Sequence, residues 1–301
     1  MLSGMFSVWT KNFVNFFLVY LVLALVNLAI SSAFSFAIFG SIAPPGGLVP
    51  GTPPRGILSA DIGRVILYAV LVFQTSLIVG AVVVGGMTEY SVRRFRGEAF
   101  TLEQALSRGM QRFSSILGAE ILIGGVIFVL VFAPILLILP VLYTGLMPAA
   151  ALLALCGLFL AIVLGGALAI FVYVSLSLFA PAIMMENAKA MDGLVSSWTM
   201  TKGHRWALFG AILIVGVLTG VVSSVIVVPV LFAGNPILSV AGTVLTSAIL
   251  GPWLVILVGV SYDLILRAPR LRYGAQSSYP PTPQISPPPG AGKAPPSPPA
   301  P

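Results

Sequence analysis

The chain offers few residues able to do chemistry, and their spacing excludes most reaction types. It has one cysteine, Cys156, and one histidine, His204. A lone cysteine closes no intramolecular disulfide, and a lone histidine builds no metal site. No phosphate-cradling glycine loop, no His-Glu-x-x-His pair and no paired cysteine motif occurs. Neither a catalytic constellation nor a metal or cofactor is therefore expected. What remains is two carboxylates, Glu120 and Asp263, inside or at the edge of long apolar runs, with Gln74 as a polar residue in another. Ionisable groups are costly to bury in a bilayer and commonly mark a solute or proton path, so these three define a candidate transport path. A plainer reading competes with it. Glu120 follows Arg112 by eight residues and Asp263 precedes Arg267 by four, about 6–12 Å along a helix, so charge or water at the interface can neutralise either one. His204 reads as an interfacial polar residue beside Trp206, and Cys156 as a packed small residue.

The elements that must position these groups are read from the distribution of charge. Of 301 residues, 58% are hydrophobic and 8% charged, and the mean hydropathy is +1.07. Soluble domains carry about 25% charged residues, so a soluble enzyme is excluded. No charged residue occurs between Lys11 and Arg55, Arg64 and Glu89, Glu120 and Glu186, or Arg205 and Asp263. Those gaps hold 43, 24, 65 and 57 residues, against about 20 needed to cross a bilayer. The apolar run after Lys11 is too long for a signal peptide and is read as a retained first helix. Turn residues divide the rest into six spans near Phe13–Phe39, Val65–Met87, Ser115–Leu142, Ala149–Phe179, Ala207–Phe232 and Ile237–Leu266. Pro134 and Pro140 are expected to kink or end the third span. The expected fold is all-α: a six-helix membrane domain over residues 1–268, followed by a tail over 269–301.

Lys and Arg concentrate on one side of the bilayer, the cytoplasmic one by the positive-inside rule. Arg93, Arg94, Arg96, Arg108 and Arg112 lie between spans two and three, and Lys189, Lys202 and Arg205 between four and five. Arg267, Arg270, Arg272 and Lys293 follow span six, whereas the turns after spans three and five carry none. A plasma-membrane protein with both termini cytoplasmic and Ser41–Asp61 external is expected. The formal net charge of +7 then belongs to short connections, which argues against nucleic acid as a partner.

The two basic connections resemble each other. Leu102, Ala105, Leu106, Gly109, Met110 and Phe113 recur at helical spacing, and Thr101 with Gln104 fits a capping box. Met191, Leu194, Val195 and Trp198 repeat the spacing, and a shift of 92 residues places Leu102 on Leu194 and Leu106 on Trp198. Each connection is read as a short amphipathic helix, with Leu102, Leu106, Leu194 and Trp198 buried by the bundle or by lipid. The halves form a weak internal repeat.

The run from Ala180 to Asn187, followed by Ser197-Trp198-Thr199-Met200-Thr201-Lys202-Gly203-His204-Arg205-Trp206, resembles a family signature. That family comprises prokaryotic and archaeal six-helix membrane proteins related to the membrane domain attached to some glycerophosphodiester phosphodiesterases. Glu186, Ser197, Trp198, Thr201, Lys202, Gly203 and Trp206 carry the match. The resemblance implies membrane architecture over residues 5–268. It implies no phosphodiesterase activity, because the chain has no residues left for that soluble catalytic barrel.

Small residues recur every four positions at Gly157, Ala161, Gly165 and Ala169 in span four, and at Gly216 and Gly220 in span five. Such stripes let helix backbones approach in lipid. From Ser277 to Pro301, 11 of 25 residues are proline, which reads as a disordered, polyproline-II-prone tail. Pro280-x-x-Pro283 offers a minimal site for a protein partner. The expected partners are therefore the lipid bilayer and a possible protein at the tail; oligomeric state is left open. The leading expectation is a non-enzymatic membrane scaffold or accessory component, and the alternative a transporter for a small or lipid-like solute.

Overall fold

The computed structural model describes residues 1–40, 62–143, 148–232 and 235–276. The first loop and the proline-rich tail, with its PxxP site, lie outside them. All regular structure in the described residues is helical, and six helices are long and apolar enough to cross a membrane. In chain order the helices are α1 (Leu2–Lys11), α2 (Phe13–Phe39), α3 (Ile62–Phe95), α4 (Leu102–Gln111), α5 (Phe113–Tyr143), α6 (Pro148–Leu176), α7 (Phe179–Glu186), α8 (Ala190–Thr201), α9 (Arg205–Phe232) and α10 (Pro236–Gln276). Met1–Ile265 forms one compact unit and Leu266–Pro301 a second.

The span count matches expectation, but several boundaries differ. Helix α3 extends eight residues past Met87 and carries Glu89, Arg93 and Arg94 in its last turns. Helix α5 continues through Pro134 and Pro140 instead of ending there. A short helix, α1, precedes the first span; its Met5 and Val8 are buried, and Trp9 packs edge-on against Trp253 of α10. The fourth span breaks after Leu176 and resumes as α7. Pro181 accounts for the break, because its ring clashes with the carbonyl four residues back, that of Ser177, and it has no N–H to offer that carbonyl.

Helix α10 is the most enclosed span, half buried within its most apolar window, where the other five are at most 17% buried. Phe16 and Tyr20 of α2, Met87 and Tyr90 of α3, and Trp253, Ile256, Leu257 and Val260 of α10 share one apolar cluster. Most remaining apolar surface points outward, as on Val14, Phe73, Phe159 and Val225, which is the arrangement a bilayer requires.

Helix α4 begins as expected. The Gln104 backbone N–H donates to Thr101 Oγ1 and the Thr101 N–H to Gln104 Oε1, closing the capping box. It lies directly on α3, with Ala105 and Gly109 buried. A Cβ on Gly86 would sit 2.6 Å from the Ala105 carbonyl oxygen, and one on Gly109 would strike the Val82 carbonyl. The contact exists only because both residues are glycine. Leu102 and Leu106 pack, partly buried, against the main cluster.

Helix α8 turns only part of its apolar stripe toward the bundle. Leu194 is buried, but Met191, Val195 and Trp198 stay exposed, the last at 40%. The inward face is instead Gly193, Leu194, Ser197 and Thr201. The break between α6 and α7 is the physical reason. Ser197 Oγ accepts from the Leu178 N–H at 3.1 Å and donates to the Ser175 carbonyl at 3.2 Å, and Thr201 Oγ1 donates to the same carbonyl at 3.0 Å. An interrupted helix leaves backbone groups that lipid cannot satisfy, and these hydroxyls satisfy them.

Candidate functional site

Two polar regions stand out, one at the basic end of the bundle and one inside its apolar part. At the basic end, Glu89 is completely buried near the end of α3. Its Oε1 takes Arg93 Nε at 2.7 Å, one turn along the same helix, and Arg108 Nη1 at 2.7 Å from α4. Arg93 also holds Glu98 at 2.9 Å. The Phe100 ring lies beneath both cations, 4.7 Å from the Arg93 Cζ and 5.8 Å from the Arg108 Cζ. Glu89 Oε2 is buried without a hydrogen-bond partner.

The network continues across the bundle. Arg96 donates from Nε to Asp263 Oδ1 at 2.6 Å, joining α3 to α10 over 167 positions of sequence. Next to it, Tyr262 donates to Glu186 Oε1 at 3.1 Å, and Ser196 of α8 donates to Glu186 Oε2 at 2.9 Å. Asn15 Nδ2 donates to the Tyr90 hydroxyl at 2.6 Å, which donates to Asn12 Oδ1 at 3.3 Å, so the α1–α2 junction is held at this end as well. Both basic connections and α1 are thereby tied to the ends of the spans. Glu89 is not among the residues expected from the sequence to do chemistry, although a carboxylate four residues before Arg93 at the limit of an apolar run is a signal of such a pair.

The second region is a cavity of about 850 Å³ between α2, α9 and α10. Its lining mixes aliphatic side chains with Asn27, Ser31, Thr219, Thr243, Thr246 and Ser247. Asn27 Oδ1 accepts from Ser76 at 3.1 Å, and Ser31 shares a hydrogen bond with Tyr68 at 2.6 Å, both on α3. Tyr20 and Thr246 also line the cavity, and neither hydroxyl has a hydrogen-bond partner. No charged side chain lines it. Its chemistry suits a neutral molecule with a large apolar surface and a few hydrogen-bonding groups.

The three residues of the expected transport path are not brought together. Asp263, 1% exposed, is held by Arg96. Glu120 is half-buried on α5 and makes no hydrogen bond or ion pair with a described residue, and Gln74 is exposed on α3. None of the three lines the cavity. Of the small residues, Gly165 packs against the Leu130 carbonyl of α5, and Ala169 is buried. A Cβ placed on Gly157 or Gly220 would meet no described neighbour within 4 Å, Ala161 is partly buried, and Gly216 opens onto the cavity. Cys156 is exposed.

An all-helical bundle of six membrane-length helices, bound at one end by buried ion pairs, is a multi-pass membrane protein. Residues 58–262, from the end of the first loop into α10, match the family described as Domain of unknown function (DUF7847), and the chain belongs to that family. No curated protein and no solved structure matches the chain.

Proposed function

We propose that the protein is a non-enzymatic scaffold or accessory component of the plasma membrane, with both termini and the two basic connections in the cytoplasm. The observation that carries this reading is the ion-pair network. Glu89 fixes α4 to α3, and Asp263 fixes α3 to α10, which makes the basic end a rigid platform and not a mouth. The orientation rests on the Lys and Arg bias alone. The kinship with the membrane domain of glycerophosphodiester phosphodiesterases rests on Glu186, Ser197, Trp198 and Thr201–Gly203, of which Ser197 and Thr201 seal the α6–α7 break. The reading of two halves as a repeat gains support from burial. Ala105 and Gly109 on α4, and Ser197 and Thr201 on α8, are the inward residues, and each pair is separated by the same 92 positions. The proline-rich tail is read as a spacer able to hold a protein partner.

The cavity between α2, α9 and α10 favours a second reading, transport of a neutral lipid-like solute. Spin labels at Ser107 and Thr199, in a Cys156→Ser background in liposomes, separate the two. A scaffold gives one narrow distance distribution that is unchanged by a proton gradient of either sign and by Glu120→Gln. Two populations that exchange with the gradient would overturn the scaffold reading in favour of transport.

A further inference from the structure

A second cleft opens where α6 meets the start of α9. Its volume is about 520 Å³, within the range of roughly 300–1,000 Å³ typical of ligand sites. Ala167, Ile170, Phe171, Val174 and Phe209 make it apolar, and Arg205 is the one charged residue that lines it. The guanidinium lies 4.3 Å from the Trp198 ring centroid and 4.9 Å from that of Phe171. Stacking of this kind orients the fork without using any of its N–H donors. Arg205 Nε is buried without a hydrogen-bond partner, and no described carboxylate lies within ion-pair distance of the side chain.

Arg93, Arg96 and Arg108 are paired with carboxylates, and Arg94, whose Nε is likewise buried without a partner, lies over the Tyr90 ring and lines neither the cavity nor the cleft. Arg205 instead presents a half-buried cation at the first residue of a membrane-spanning helix, where the bilayer's own phosphates lie. Trp206, 85% exposed beside it, is the aromatic residue expected at that depth. Gly203, with φ +91°, turns the chain into the cleft rim.

We propose that this cleft binds one anionic glycerophospholipid of the adjoining leaflet, with the phosphate on Arg205 and an acyl chain along Phe171, Val174 and Phe209. The lipid supplies the counter-charge that the protein omits. The site would tie the family-signature segment Trp198–Trp206 to lipid composition, and it is independent of whether the protein is a scaffold or a transporter.

The test uses the full-length protein, delipidated in detergent and titrated with dioleoyl phosphatidylglycerol under native mass spectrometry. Phosphatidylcholine, glycerol 3-phosphate and inorganic phosphate serve as comparison ligands. Phosphatidylglycerol binds in preference to phosphatidylcholine, and the two chain-less anions do not compete with it. Arg205→Gln weakens phosphatidylglycerol by about tenfold or more, as expected for a charge-assisted contact, and leaves phosphatidylcholine unchanged. Ala167→Phe fills the cleft and lowers occupancy by either lipid, while Lys202→Gln changes little. A monodisperse elution profile for each variant shows that it has folded; should Arg205→Gln fail that check, Arg205→Lys, which keeps the charge but loses the planar fork, must still weaken phosphatidylglycerol. Equal affinity for both lipids, unchanged binding by folded Arg205 variants, or full competition by free phosphate would each overturn the proposal.

Discussion

Removing both cations from Glu89 tests whether the network holds the basic end together. Singly, each arginine is replaceable: Arg93 and Arg108 both contact the same Oε1 at 2.7 Å, so loss of either leaves the buried acid with one partner. Arg93 is 24% and Arg108 49% exposed, so solvent screens each contact, and a single Gln substitution should cost about 1 kcal/mol. The double variant Arg93→Gln/Arg108→Gln differs in kind. It leaves a carboxylate with no exposed surface and no cation, a situation that costs about 3–5 kcal/mol. The double loss therefore exceeds the sum of the singles. Adding Glu89→Gln then removes the stranded charge and recovers part of the loss, although it deletes a third polar group. For a domain of this size, 1 kcal/mol moves a melting midpoint by about 2–4 °C. Each single should thus fall a few degrees, the double by roughly 6–20 °C, and the triple should lie between. The assay is the temperature at which half the detergent-solubilised protein leaves the monodisperse peak after a fixed heating time. A triple variant no more stable than the double would refute the reasoning, because it would mean that Glu89 is not a buried charge that needs compensation.

Three further outcomes follow from the packing. Ser197→Ala strands the Leu178 N–H and should cost about 1–3 kcal/mol, whereas Ser196→Ala, one residue earlier and on the exposed side, should stay within about 0.5 kcal/mol; thermal melts of the two decide it. Gly109→Ala drives a Cβ into the Val82 carbonyl and should lower stability by about 1–3 kcal/mol, while Gly157→Ala, with no described neighbour to strike, should be neutral or gain up to about 1 kcal/mol. Single cysteines at Ser59 and Ser286, in a background lacking Cys156, should differ in labelling by an impermeant thiol reagent on intact cells, with Ser59 labelled and Ser286 protected. The reverse pattern would invert the proposed orientation.

Hydropathy together with the turn residues was enough to count the spans. In lipid each segment must satisfy its own backbone, so an apolar run of sufficient length has only the helix open to it; the four charge-free runs, two of them split at turn residues, became six helices, and α2 kept its expected ends at Phe13 and Phe39. The Thr101–Gln104 capping box was legible for a similar reason, since its partners lie three residues apart. Burial within the bundle was not legible. On α8 the apolar stripe through Trp198 left open whether bundle or lipid covers it, and Ser197 and Thr201 face inward because a break in another helix, caused by Pro181, leaves the Ser175 carbonyl and Leu178 N–H to be satisfied there. Asp263 looked like a candidate for chemistry until α3 brought Arg96 to it from 167 positions away. The hydroxyls of the large cavity are spread over α2, α9 and α10, and a Ser or Thr in a helix can always bond its own backbone, so its presence in the sequence says nothing about what it will face. Those outcomes depend on which helices meet, a matter of long-range packing that no local pattern encodes.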